Sequence, residues 1–433
     1  MSTDIKGKKS FLGLSRQERD WVMYDWANSV YATIMMAALF PAYFTGVVNG
    51  QLGVGTGDYW WGIGTSIAMA IIAIAAPFVG ALADFKGYKK KLFIFFLGVG
   101  LVFTLFCALT DNWIGMLIGY SVSHIGFSGS CLVYDSFLPD VTTPDRMDKV
   151  SSYGYALGYI GGSTIPFLVA IGLMQVMGAE NTVLAIKISV VIAVIWWGVF
   201  SIPFIKNIKQ QHFIEKPKNG IAKQTVKNVV HTAKKLFSDK KIFFFILAYF
   251  FYIDGVGTVI KMSTSYGTTL GLDTTGMILA LLVTQLVAFP CSILFNRLAK
   301  KFGSLHMLTA AVFMYLGICI VGFIMGFGLE ESWFGLGTGQ VLFWVLAFMV
   351  GMVQGGIQAI SRSHFAKLVT PENAGEYFGF FDIFGRFASV LGPALYATVN
   401  ALSGRSSYAI LSIISLFLIA LVIMVVKRKD MGA

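Results

Sequence analysis

Charge is scarce in this sequence. Only 13% of its 433 residues are Asp, Glu, Lys or Arg, about half of what soluble globular domains carry, and a water-soluble fold is thereby excluded. Histidine is scarcer still, with five residues in all. No His-Glu-x-x-His, Gly-x-Ser-x-Gly or clustered metal-ligand pattern accompanies them, so an enzyme, a metal and a cofactor are all unexpected. A Gly-x-x-x-x-Gly-Lys-Ser/Thr loop is missing too, which argues against an ATP-driven pump. The four cysteines, Cys107, Cys131, Cys291 and Cys319, fall in apolar runs; they read as small core residues and imply no extracellular disulfide framework. The first twenty residues are polar, and the apolar run that follows is long, carries Asp25 and lacks a small-residue cleavage site. No removable signal peptide is expected.

What fills the chain is apolar: 56% hydrophobic residues and a mean hydropathy of +0.73. A bilayer is crossed by about 20 apolar residues in a helix. Twelve runs qualify, near 23–47, 60–83, 92–110, 114–137, 152–177, 183–205, 242–260, 274–297, 306–327, 338–360, 377–402 and 406–426. The expected class is an all-α integral membrane protein with twelve transmembrane helices, and the bilayer is its first partner. With both termini cytoplasmic, every Lys and Arg except Lys187, Lys261, Arg405 and the intramembrane Arg386 falls at the cytoplasmic ends or loops, as the positive-inside bias requires. The net charge of +11 therefore reports topology and not nucleic acid.

The longest polar segment, 206–241, divides the chain into residues 1–205 and 242–433, each with six spans. Within it Val226, Val229, Val230, Ala233 and Phe237 recur at helical spacing opposite Lys227, Lys234 and Lys235. That pattern suits either a helix on the inner leaflet or a solvated linker.

Between the second and third spans runs Gly80, Ala81, Leu82, Ala83, Asp84, Phe85, Lys86, Gly87, Tyr88, Lys89, Lys90. Small Gly80 and Ala83 let helices approach, Asp84 can bond a neighbouring helix end, and Gly87 supplies the turn. The pattern Gly-x-Leu-x-Asp-x-x-Gly-x-Lys-Lys resembles the signature loop of the major facilitator superfamily of secondary transporters. A second motif, Trp21-x-x-Tyr24-Asp25-Trp26-Ala27-Asn28-Ser29, is similar to the mark of one branch, the unidentified major facilitator family that includes the fungal vacuolar amino-acid effluxer linked to autophagy. Physically, Trp21 and Trp26 suit the inner interface, and Asp25, Asn28 and Ser29 share one helical face. Asp25 is either part of a wet polar face or an N-terminal cap.

Other spans add candidates. His124 sits among serines and is either a neutral hydrogen-bonded residue or a coupling site. Gly154, Gly158, Gly161 and Gly162 form a small face for helix packing. Span seven carries Tyr249, Tyr252, Asp254, Gly255 and Gly257; the glycines are expected to break the helix beside an acid that needs a partner, a cavity or a proton. Span ten and the loop after it read Gln354 to Ser363 through Gln358, Ser361 and Arg362, and this run resembles the family's most distinctive motif. Asp382 and Arg386 lie at i and i+4 in span eleven, an expected ion pair, at positions where the family more often has a neutral residue and a lysine. The second half repeats the first: Thr143-Pro144 matches Thr370-Pro371, and Leu298 to Gly303 aligns with Leu82 to Gly87, with Lys300 in place of Asp84.

The resemblance implies a major facilitator fold of two six-helix bundles and alternating access with efflux or exchange of neutral amino acids. The expected substrate groups are Asp25, Asn28, Ser29, His124, Tyr252, Asp254, Gln354 and Gln358. Asp254 is the candidate for a proton or cation co-substrate, and Gly80, Asp84, Gly87, Lys89, Lys90, Arg362, Asp382 and Arg386 are the gating or structural set. A sugar or other small-molecule permease of the same superfamily is the alternative, and a non-transporting receptor or scaffold is more remote. The expected location is the cytoplasmic membrane, or an organelle membrane in a eukaryote.

Overall fold

The structure is a computed structural model that describes residues 12–217 and 220–431, apart from the side chains of Thr274, Arg386, Phe387, Ala388 and Ser389. Among the described residues it is helical, with twelve helices long and apolar enough to cross a membrane: Arg16–Leu52, Thr56–Ala83, Lys89–Leu109, Trp113–Ser136, Met147–Met177, Ala179–Asn207, Lys240–Thr269, Thr275–Phe302, Ser304–Glu330, Leu336–Leu368, Pro371–Ser403 and Ser406–Val426. All twelve expected spans are present. Most run further than the apolar stretch alone, because polar caps hold their ends. Ser15 and Glu18 form a reciprocal capping box at the start of the first, and Asn112 and Asp239 accept first-turn amides of the fourth and seventh.

Three expectations need correction. The seventh helix is continuous from Lys240 to Thr269, so Gly255 and Gly257 do not break it. A Cβ on Gly255 would stand 2.6 Å from the Phe417 ring, and close packing is the reason for glycine there. The tenth helix continues to Leu368; Ser361, Arg362 and Ser363 are helical and buried, not a loop. Trp21 is fully buried, stacked 4.3 Å from Tyr134, and is not an interfacial anchor. Irregularity lies elsewhere, in π-helical turns at Ala32–Ala37 and Gly158–Thr164, a feature often found at functional positions.

The chain forms two compact units. One takes in the chain up to Val150, Leu157–Val230 and Thr370–Phe380; the other takes in Ser151–Ala156, His231–Val369 and the chain from Phe381 onward. Each unit thus includes a short segment whose chain neighbours belong to the other. In the first unit, Trp21, Tyr24, Phe93, Tyr134 and Phe204 form an aromatic core. Two of its polar groups have partners in the core: Trp21 Nε1 donates to the Tyr134 carbonyl at 3.1 Å and the Tyr24 hydroxyl to Ser130 at 2.8 Å. In the second, Tyr249, Phe381 and Phe365 stack in series, and Tyr315 stacks on Phe417.

The linker contains a helix, Ile221–Ser238. Its apolar positions divide between two faces. Thr225, Val229, Thr232 and Leu236 are buried, whereas Val226, Val230 and Phe237 are 51%, 50% and 69% exposed beside Lys223, Lys227 and Lys234. An exposed apolar stripe flanked by lysine matches an anionic leaflet, worth about 1 kcal/mol per basic residue near the surface. A tryptophan placed at Val230 is expected to be quenched by shallow doxyl-labelled lipids in proteoliposomes, more strongly when anionic lipid is present. Equal fluorescence with and without quencher would place this helix in water.

Candidate transport site

The loop joining the second and third spans is held on every side. Asp84 caps the second span from a fully buried position. Its two oxygens accept the amides of Gly375 and Glu376, each at 2.8 Å, at the start of the helix Ala374–Ser403. A carboxylate on the first free amides of a helix is favoured by both hydrogen bonding and the helix dipole. The approach requires glycine: a Cβ on Gly80 would stand 2.1 Å from the Gly375 carbonyl oxygen. Burial pushes the Asp84 carboxyl up to about 7, although the Lys89 charge and the two amides pull it down. Its folded pKa exceeds its unfolded one, so its contribution to stability falls as pH rises from about 4 towards 7.

On its other side the loop is clamped by the beginning of the linker. The Ile214 amide donates to the Asp84 carbonyl at 2.8 Å, the Lys86 amide to the Ile214 carbonyl at 3.0 Å, and the Gly87 amide to Gln210 at 2.8 Å. Gly87 has φ +76°, the left-handed region in which glycine carries no Cβ penalty. Lys90 donates to the Ile208 carbonyl. Lys89 is turned inward and fully buried, pairing with Asp140 at 3.0 Å and donating to the Ser136 carbonyl at 3.3 Å. Asp140 also accepts the amides of Gln211 and His212 and meets the His212 ring at 3.1 Å.

Burial alone would raise the Asp140 carboxyl, but Lys89 and His212 hold it below the usual carboxylate range. The hydrogen bond to Asp140 raises the His212 imidazolium above its ordinary value. The charged His212 contact is therefore fully present below about pH 6.5 and is lost as pH rises through the elevated folded value. Amide exchange of residues 210–214 is expected to accelerate over that interval in the wild type. In His212→Asn the dependence should flatten; persistence of the same step would assign it to another group.

In the second unit Arg362 is buried, donating through Nε to the Ser151 hydroxyl at 2.9 Å and through Nη2 to its carbonyl at 3.2 Å, with its guanidinium 4.5 Å from the Tyr155 ring. Tyr252 and Ser361 share a hydroxyl bond of 2.6 Å. Asp254 is fully buried. Its Oδ2 accepts the Gly392 amide at 2.8 Å, while Oδ1 and the Thr258 hydroxyl one turn on have no hydrogen-bond partner among the described residues. Both of those oxygens lie within 3.0 Å of where a Cβ on Gly392 would stand. Gln354 is buried and Gln358 half-buried on the tenth span; Asp382 is half-buried on the eleventh, and the Arg386 side chain lies outside the described residues.

In the first unit Asp25, Asn28 and His124 are buried, with the His124 ring 5.6 Å from Tyr120. Ser29 donates to the Asp25 carbonyl at 2.7 Å and sits where the first span crosses Gly158 and Gly162. It is thus in a helix contact with its hydroxyl turned to its own helix. The sequence alone does not mark the contacts of Asp140, Ser151, Thr258 and Gly392. The one local signal is the place of Asp140 directly after Pro139; Ser151, Thr258 and Gly392 have none.

A family profile described as "Vacuole effluxer Atg22 like" matches residues 62–432. The chain belongs to the Atg22-like family of major facilitator transporters. It is 42% identical over 418 residues to an uncharacterized MFS-type transporter, YxiO, of Bacillus subtilis (strain 168), covering 95% of this chain and 94% of that protein. It is 24% identical over 301 residues to autophagy-related protein 22 of Cryptococcus neoformans var. neoformans serotype D (strain JEC21), covering 66% of this chain and 50% of the fungal protein. Similar solved folds include the proton:xylose symporter XylE (TM-score 0.72, 12% identity, 96% of this chain and 95% of that one) and the outward conformation of FucP (TM-score 0.67, 14% identity, 96% and 98%). At such identities these two show the fold alone. An Atg22-like chain is a transporter and not an enzyme, embedded in a membrane and acting on a small molecule.

Proposed function

We propose that this Atg22-like transporter exchanges or effluxes neutral amino acids by alternating access, coupled to a proton carried at Asp254. The coupling reading is carried by one observation, the fully buried Asp254 carboxyl, which among the described residues has a single amide bond and one oxygen without a partner. A carboxyl in that state is costly when charged within a membrane and is eased by a proton or a cation. The amino-acid reading is supported by the resemblance to the vacuolar effluxers. A zwitterion could be held with its ammonium facing an acid and its carboxylate facing the amide groups of Gln354 and Gln358, with Asp25, Asn28 and His124 as the further polar groups. In such a cycle the bond between Asp84 and the amides of Gly375 and Glu376 forms in one state and opens in another, as the two six-helix halves rock. The proposed location is the cytoplasmic membrane with both termini inside.

The test is uptake of a panel of labelled amino acids and sugars by proteoliposomes preloaded with unlabelled solute, with and without an imposed pH gradient. Accumulation of a neutral amino acid supports the reading. Accumulation of sugars alone would favour the permease alternative, and no exchange of any solute would favour a receptor or scaffold.

A further inference from the structure

The second unit holds a cleft of about 480 Å³ lined by Phe302, Gly303, Ser304, Leu305, His306, His364, Lys367 and Leu368. By the positive-inside distribution it opens on the cytoplasmic side, where the eighth and tenth spans end and the ninth begins. Its ionisable lining groups are basic, with no carboxylate among them. His306 comes from the start of the ninth span, His364 and Lys367 from the end of the tenth. Arg428, after the twelfth span, touches the His306 ring. The Arg428 guanidinium can donate to the neutral imidazole and adds a positive charge beside the cleft.

The groups are fixed in place. His364 is buried with its ring 4.8 Å from that of Phe245, and Lys367 Nζ donates to the Ser304 hydroxyl at 3.2 Å. His306 Nδ1 lies 3.4 Å from where a Cβ on Gly303 would stand, and Gly303 has φ +91°, so the imidazole folds back over the turn. The helix Ser304–Glu330 begins there on Gly303, which has no side chain to cap it, and the positive end of a helix dipole favours an anion. The corresponding loop of the first half carries Asp84, whereas this one has Lys300 and supplies no acid of its own.

We infer that this cleft binds a phosphate group. Several donors from two chain segments line one space, with Arg428 of a third against His306, and such a set suits an oxyanion with several oxygens better than a planar carboxylate, which two donors satisfy. The phosphate can belong to an anionic phospholipid headgroup of the inner leaflet or to a soluble phosphoester.

The test uses the full chain and two variants, the double substitution His306→Gln/Lys367→Gln and the exposed single substitution Arg428→Gln, with Lys300→Gln on the adjoining turn as the control. One arm titrates inorganic phosphate into detergent-purified protein and follows the phosphorus resonance. The other counts phosphatidic acid and phosphatidylcholine molecules retained in native mass spectra. The wild type and the control should bind alike, the double variant about tenfold more weakly, and Arg428→Gln in between. Retention of phosphatidic acid without binding of inorganic phosphate identifies a lipid headgroup as the ligand; binding of inorganic phosphate identifies a soluble one. No binding in either arm, or equal binding by wild type and both variants, overturns the inference. None of these readouts depends on the transported solute.

Discussion

Asp254→Asn is expected to abolish gradient-driven accumulation while leaving counterflow exchange in place. The substitution preserves shape, and the amide oxygen can still accept the Gly392 amide that now bonds Oδ2 at 2.8 Å. What disappears is the capacity to carry a proton or pair with a cation. A carboxylate near the middle of a membrane helix costs about 2.5 to 3.5 kcal/mol on insertion scales, so the neutral side chain should not lower stability and the purified variant should melt at or above the wild-type temperature. Accumulation under an imposed pH gradient should fall at least tenfold, a change of about 1.4 kcal/mol in driving force. Exchange of labelled for unlabelled solute, which needs no net proton movement, should persist. Wild-type accumulation in this variant would remove Asp254 from the coupling step, and loss of both activities would make it a substrate contact instead.

Lys89→Ala is expected to have the largest effect on stability of any single change in the loop. Lys89 and Asp140 form an ion pair with 0% and 1% of their side-chain surfaces exposed. Removing the lysine leaves Asp140 charged and buried with, among the described residues, the Gln211 and His212 amides and the His212 ring to hold it. Breaking one side of a buried pair typically costs about 3 to 5 kcal/mol, mostly through the charge left behind. Lys86, three residues earlier, pairs with Glu215 at 2.8 Å in the open, and Lys86→Ala should cost below about 1 kcal/mol. Thermal denaturation of the two variants side by side separates these cases. A neutral double variant, Lys89→Met with Asp140→Asn, should recover much of the loss, since it leaves no unpaired charge. Equal melting temperatures for Lys89→Ala and Lys86→Ala would contradict the buried-pair account.

The spans were legible because hydropathy is summed over some twenty residues and single polar residues do not hide it. Asp84 was legible as a group that bonds a helix end, although the identity of that end, some 290 residues away, was not. Lys89 reads as one more basic loop residue, and nothing local distinguishes it from Lys86; only the fold turns it inward to Asp140. Gly255 is ambiguous in the sequence because glycine signals both a weak helix and a close approach, and the choice depends on whether a ring such as Phe417 stands opposite. The residue type of Trp21 points to the interface, yet a partner for its indole N–H in the Tyr134 carbonyl permits complete burial. Thr258 and Gly392 carry no motif, because their significance lies in two helices meeting at one point.

Membership of Thr370–Phe380 in the first unit bears on how the chain is made. During synthesis the first six spans enter the bilayer long before residue 370 leaves the ribosome, so through most of translation Asp84 has none of the amides it will later bind. The N-terminal half is completed by nearly the last helix to emerge. A nascent chain stalled before residue 370 would therefore present the Asp84 carboxylate and the Gly80 face without the helix end they bind.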